Sequence, residues 1–376
     1  MEHQINKIKT VTFRIGGHII HLLAVACLIL FTACRDDDSG ALPSTIHLEE
    51  AYHLETMKTG NFIVDFQFAK DEILWVGTFN GGIFQLSGTE VKTFNTANSP
   101  LPDNHINDLF IDHLDRLWIA TGHGFAMYDK GHWEVYTSAN APLAVDHVSE
   151  IAVNKKNEIL LGNGNVIDGG LLFRSESGNW KAYTDSNSKL PCNVIHEIEI
   201  APDGSFWIST AQFHGKGGIV KFENEDITEV LSVENSGLLY NFVDNIEITD
   251  RDIWIGYEVA IFNQSGFPDG GIQQIDFRSS SPASYFPNEK ALVSNRITAM
   301  KLDVSNSLWF ATGIDDPACE NCFAGIGVLL ENKEILAISA SKVNLPPNAF
   351  FTKLNGDNHG NMYVAHESSL YRLKSE

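Results

Sequence analysis

The chain has 376 residues, 43% of them hydrophobic and 20% charged, with 48 acidic against 26 basic side chains and a net charge of −22. That composition excludes a largely disordered chain, and the charge excludes polyanions as partners. Nucleic acid and sulfated glycans are held by clustered Lys and Arg that release counterions, whereas neutral glycans, peptides and cationic ligands remain open.

At the amino terminus, Lys7, Lys9 and Arg14 precede an apolar run from Ile19 to Phe31 that only His21 interrupts. This is the pattern of an export signal, and the run is too short for a comfortable membrane span. Leu30-Phe31-Thr32-Ala33-Cys34 resembles the lipobox of bacterial lipoproteins, with Phe31 where that family prefers leucine. The resemblance implies that Cys34 is lipidated, becomes the new amino terminus and anchors the protein to a membrane. Arg35-Asp36-Asp37-Asp38 resembles the export tag of Bacteroidetes-type lipoproteins, which implies an outer-membrane protein at the cell surface. A merely solvated linker there would leave it facing the periplasm. The expected organisation is a signal peptide at 1–33, a lipidated tether at 34–44 and one domain at 45–376. Loss of residues 1–33 leaves 23 basic and 47 acidic side chains, a net charge of −24.

One pattern then returns along the whole chain: an apolar residue, an aromatic, a small residue and often threonine. Its copies are centred on Trp75, Trp118, Leu160, Trp207, Trp254, Trp309 and Tyr363, at spacings of 43, 42, 47, 47, 55 and 54 residues. Such periods suit four short strands per blade of a β-propeller. About twelve residues before each aromatic lies an alternating run such as His105-Ile106-Asn107-Asp108-Leu109-Phe110, followed by a turn such as Asp203-Gly204 or His359-Gly360. A third strand follows a glycine, as in Gly124-Phe125-Ala126-Met127-Tyr128. Fourth strands read as Trp133 to Tyr136 and Trp180 to Tyr183. The last copy has three strands, and Ile46 to Glu55 is a spare strand ahead of the first copy. Pairing the two closes the ring and covers two open edges, so the expectation is an all-β, seven-bladed propeller closed by its amino-terminal strand.

Ser99-Pro100-Leu101-Pro102-Asp103-Asn104-His105-Ile106-Asn107, followed by Asp115-Arg116-Leu117-Trp118-Ile119-Ala120-Thr121, resembles the two-component regulator propeller repeat. That repeat is found in periplasmic sensor regions of hybrid two-component proteins of Bacteroidetes-type bacteria. The resemblance implies ligand sensing or surface binding; kinase and response-regulator segments have no counterpart in the sequence.

Aligned copies carry a polar residue two positions before the first-strand apolar residue: Asn61, Asn104, Asp146, Asn193, Asn241 and Asn295, with Ala349 beside Asn348 in the last. A residue repeated in nearly every blade reads as turn architecture. Residues that vary around the ring are better ligand candidates, among them His105, Asn107, His147, His196, Asp244 and Arg296, all expected near the mouth of the central channel. Loops between second and third strands lengthen at Asn163 to Gly169, Thr210 to Gly217, Tyr257 to Gly270 and Thr312 to Gly325. Tyr257, Phe262, Phe267 and Asp315 there combine aromatic anchors with an acceptor, as a binding rim requires. Cys319 and Cys322 read as a loop-pinning disulfide, with free thiols or half a metal or redox site as alternatives.

No nucleophile elbow, His-Glu-x-x-His motif or phosphate loop occurs, so no catalytic residue, metal or cofactor is nominated. The functional expectation is a propeller that binds a glycan or protein ligand. The alternative is a lyase or glycoside-active enzyme, with His196 and Glu197 or His147 and Glu150 as an acid/base pair.

Overall fold

A computed structural model describes residues 11–15, 18–22, 46–53, 61–163, 169–212, 215–257, 270–277, 283–285, 296–313, 324–331, 333–346 and 349–375. The chain divides into two units, 1–43 and 44–376. In the first, Val11–Ile15 pairs antiparallel with His18–Leu22. No helix among the described residues is long and apolar enough to cross a membrane.

The second unit holds seven four-stranded antiparallel sheets. The innermost strands of blades 1 to 7 are Ile63–Phe68, Ile106–Ile111, Val148–Val153, Ile195–Ile200, Asn245–Ile248, Ile297–Leu302 and Phe351–Gly356. Blade 7 is completed by the amino-terminal strand Ile46–His53, which pairs with Ser369–Ser375 from Ile46↔Ser375 to His53↔Ser369. The expected ring and its closure are both present.

Contacts between blades explain the repeat residue by residue. The small residue after the aromatic lets the next blade approach. A Cβ on Gly77 would stand 2.6 Å from Ile106 Cγ2, and one on Gly256 would stand 2.7 Å from Ile297 Cγ2. Trp75 and Ile83 of blade 1 thereby share one core with Ile106, Leu109, Leu117 and Ile119 of blade 2. The recurrent threonine donates across its hairpin, from Thr78 to the Gly82 carbonyl and from Thr121 to the Gly124 carbonyl, both at 2.8 Å. The aromatic is fixed by the turn before it: Trp118 Nε1 donates to Asp112 Oδ2 and Trp309 Nε1 to Asp303 Oδ2, both at 2.9 Å.

Six of the seven innermost strands carry a register shift near their start, for example between Ile106 and Asp108 and between Ile195 and Glu197. A β-bulge opposes two residues to one and re-aims a side chain. Two consecutive residues of a bulged strand, such as Asn107 with Asp108 or His196 with Glu197, consequently line the axial cavity together.

Candidate site in the axial channel

An innermost strand has no neighbour on its axial side, so its inward backbone groups need partners from elsewhere. Side chains of the preceding blade supply them. Asp65 Oδ2 accepts the Leu109 N–H at 2.9 Å, Asp108 Oδ2 the Ile151 N–H at 3.0 Å, and Glu197 Oε2 the Ile246 N–H at 2.7 Å. Donors meet carbonyls in the same way: Asn107 Nδ2 reaches Val148 O at 2.6 Å and Thr352 Oγ1 reaches Ile63 O at 2.8 Å.

Two tiers of charge result, in which Asp65, Asp108 and Glu247 are buried and both lysines are part-exposed. The upper tier gathers Asp65, Asp108, Glu150 and Glu197 around Lys353, whose Nζ lies 4.0 Å from Asp65 Oδ1. In the lower tier Lys301 Nζ stands 3.0 Å from Glu199 Oε1 and 2.7 Å from Glu247 Oε1. Burial pushes Asp108 and Glu150 well above the ordinary carboxyl range, reinforced by neighbouring carboxylates. It raises Glu197 to about 7 and Glu247 to about 8, with Lys353 and Lys301 respectively opposing the shift. Burial alone would lower the two lysines, yet the carboxylates around each raise them, so both stay charged.

The upper tier opens into a cavity of about 200 Å³ that His196, Asp244, Asn245 and Thr352 also line. His196 Nδ1 lies 3.4 Å from Asp244 Oδ1, and burial holds the imidazole below its ordinary value of 6.5. One residue before the buried apolar residue that begins the axial run stand Phe62, His105, His147, Val194, Phe242, Arg296 and Phe350. Several of them meet at the mouth. Phe62 stacks on Phe79 with centroids 5.0 Å apart, Phe79 meets His105 at 4.3 Å, and Phe242 presents its edge to His196 at 5.7 Å. His147 Nε2 lies 3.4 Å from Asn107 Nδ2. Desolvation, then the charges of His105 and His123, lower the His147 pKa.

Of the sequence candidates, His196 and Asp244 line the cavity, His147 lies beside Asn107 of its wall, and His105 and Arg296 stand one residue before the first buried residue of their innermost strands. Tyr257 lies elsewhere: it is fully buried in blade 5, its hydroxyl donating to Gln273 Oε1 at 2.6 Å, and so is withdrawn from the loop face. Cys34, Phe262, Phe267, Asp315, Cys319 and Cys322 lie outside the described residues. The sequence pairing of His196 with Glu197 and of His147 with Glu150 gives way to His196 beside Asp244 and His147 beside Asn107. The repeated Asx residues are architectural. Asn104, Asp146, Asn193 and Asn241 each accept the N–H of the residue eight positions earlier at 2.8 Å. The carboxylate tiers went unassigned in the sequence, where Asp65, Asp108 and Glu150 are each the single charged residue of their strand and only Glu197 and Glu199 alternate.

The family model described as two component regulator propeller matches residues 100–123. No curated protein matches by sequence. Among solved structures, the chain resembles the extracellular domains of the two-component systems BT3049 and BT4673 from B. thetaiotaomicron. They are 18% and 15% identical, with TM-scores of 0.65 and 0.61, covering 89% and 87% of this chain and 41% and 39% of those. It therefore spans about two fifths of their length. Virginiamycin B lyase from Staphylococcus aureus is 18% identical over 88% of this chain and all of its own, with a TM-score of 0.61. Likeness at these identities speaks for the fold, and the matched segment for the repeat: the chain is a seven-bladed β-propeller that carries the two-component regulator propeller repeat.

Proposed function

We propose that the chain is an exported lipoprotein, anchored through Cys34 to the outer membrane and facing the cell exterior, whose propeller captures a ligand at the channel mouth. The observation that carries the reading is the asymmetry of the axial cavity. The blades repeat their turns and cores, yet the cavity presents His196 and Asp244 on one side and Thr352 and Lys353 on another. Selectivity requires such differences, and structural repeats do not. Likeness to extracellular sensor domains supports capture outside the cytoplasm. A glycan array and a pull-down would identify the ligand. His196→Ala and Asp244→Asn are expected to weaken binding at least tenfold, and Asp115→Ala and Asp203→Ala, in turns at the far end of the innermost strands, to leave it unchanged; the reverse result overturns the placement. Fatty-acid analogue labelling that persists in Cys34→Ala overturns the anchor.

A second reading, lyase chemistry, is favoured by His196 beside Asp244 in the cavity: a neutral imidazole next to a carboxylate is a serviceable general base. Conversion of virginiamycin B by the purified protein, lost in His196→Ala, would establish it. An unchanged substrate removes that reaction.

A further inference from the structure

We propose that the wall of the axial cavity carries a proton switch: neutral His147 holds Asn107 in place, and protonation of the imidazole turns the Asn107 amide over. The inference goes beyond the capture reading and rests on it only for what the switch regulates. Asn107 occupies the bulge of the blade 2 innermost strand and lines the cavity. Its amide nitrogen donates to the Val148 carbonyl of blade 3 at 2.6 Å and lies 3.4 Å from His147 Nε2. An amide nitrogen only donates, so Nε2 is here an acceptor and the ring proton sits on Nδ1. Nδ1 is itself buried with no hydrogen-bond partner among the described residues.

A second ring proton therefore meets no acceptor. On Nε2 it faces the Asn107 N–H, donor against donor. Asn107 can serve an imidazolium only by turning its carbonyl oxygen toward the ring, which withdraws the N–H from Val148 O and opens this tie between blades 2 and 3 at the cavity wall. The surroundings bias the ring toward neutrality. His105 precedes the blade 2 strand, and His123, in the following hairpin, lies 2.7 Å from Asp103 Oδ2, which raises its pKa so that it gains charge before His147 does. Asp146 adds to that rise and accepts the Ser138 N–H at 2.8 Å, while neutral Asn163 donates to the His147 carbonyl at 2.9 Å. Asp108 and Glu150, farther along the same two strands, are cavity carboxylates that titrate in their own right. Burial, then the charges of His105 and His123, hold His147 below its ordinary 6.5. The closed wall is thus the neutral-pH form, and it opens as pH falls through the His147 midpoint. A ligand in the cavity meets one wall in neutral surroundings and another in acid.

The test is a nuclear magnetic resonance titration of the full-length protein from pH 8 to pH 4.5, labelled in its histidine rings, asparagine side-chain amides and valine carbonyls. The His147 ring is expected to titrate below 6.5, with the Asn107 amide and the Val148 carbonyl shifting at the same midpoint. In His147→Gln, whose side chain accepts from Asn107 at any pH, both should stay constant through that midpoint. Asn107→Thr keeps a donor for Val148 O, as Thr352 does for Ile63 O at 2.8 Å, but has no second hydrogen for the ring. In it the His147 midpoint should rise by about half a unit or more. Asn107→Ala makes the same prediction should Asn107→Thr lose the wild-type circular dichroism spectrum. A ring that titrates at or above 6.5, an Asn107 or Val148 shift that persists in His147→Gln and so belongs to Asp108 and Glu150, or a midpoint unmoved by the Asn107 variants overturns the switch. No ligand enters this titration, so capture fails separately: it falls if a ligand found by array or pull-down is unaffected by His196→Ala and Asp244→Asn, whatever His147 does.

Discussion

Glu197→Gln is expected to stabilise the protein above pH 7 and to change it little at pH 5. Burial, opposed by Lys353, raises this carboxyl from 4.5 to about 7 in the folded protein. Between those values the folded chain keeps a proton that the unfolded chain has released. Stability therefore falls as pH rises through the window, and the loss is complete above the folded value. At about 1.4 kcal/mol per unit of pH, the loss is about 3 kcal/mol. Glutamine keeps an acceptor for the Ile246 N–H, held at 2.7 Å in the wild type, and has no charge to desolvate. Asp108 and Glu150, also raised, can take over part of the proton binding, so about 3 kcal/mol is a ceiling. Urea unfolding of both proteins at each pH from 5 to 9 measures the difference. A gap that stays constant with pH, or one in which the wild type gains on the variant as pH rises, refutes the reasoning.

Three further outcomes follow from the same structure. Lys353→Met strips the upper tier of its lysine and is expected to cost about 3–5 kcal/mol at pH 8, less at pH 5 where the carboxylates can protonate; equal losses at both pH values in urea melts would contradict this. Asp112→Ala leaves the Trp118 indole N–H and the Arg116 backbone N–H without their acceptor and should cost about 2–3 kcal/mol, read by thermal unfolding and absent if the turn is ornamental. A chain beginning at Gly60 lacks the strand that pairs with Ser369–Ser375 and is expected to melt well below the full-length protein; an unchanged melting temperature would show that the ring needs no closing strand.

The architecture was legible in the sequence because its determinants are local and repeated. Leu117-Trp118-Ile119-Ala120-Thr121 carries the aromatic its turn must hold, the small residue its neighbour must approach and the threonine its hairpin must satisfy. The channel chemistry was harder to read because it joins blades. Asp108 is one acidic residue among many until its acceptor role toward Ile151, 43 positions later, is known. The bulge that turns both Asn107 and Asp108 inward leaves no mark in an alternating pattern. Tyr257 misled for a related reason. It stands where other blades place threonine, so it reads as the first residue of a long loop, whereas its ring fills the blade 5 core and its hydroxyl meets Gln273 rather than a hairpin carbonyl.

The closing strand also fixes how the ring answers to mechanical load. Ile46 lies opposite Ser375 and His53 opposite Ser369, so the two ends of the propeller emerge side by side at one end of a single antiparallel pair. Force that draws those ends apart falls on the pair at Ile46 and Ser375 first and on each later pair in turn, a zipper opened from its end rather than a ladder sheared all at once. If Cys34 tethers the amino terminus, tension between that tether and anything attached at the carboxyl terminus would peel Ile46–His53 away at low force, exposing the Ser369–Ser375 edge while the six blades that close within themselves stay folded.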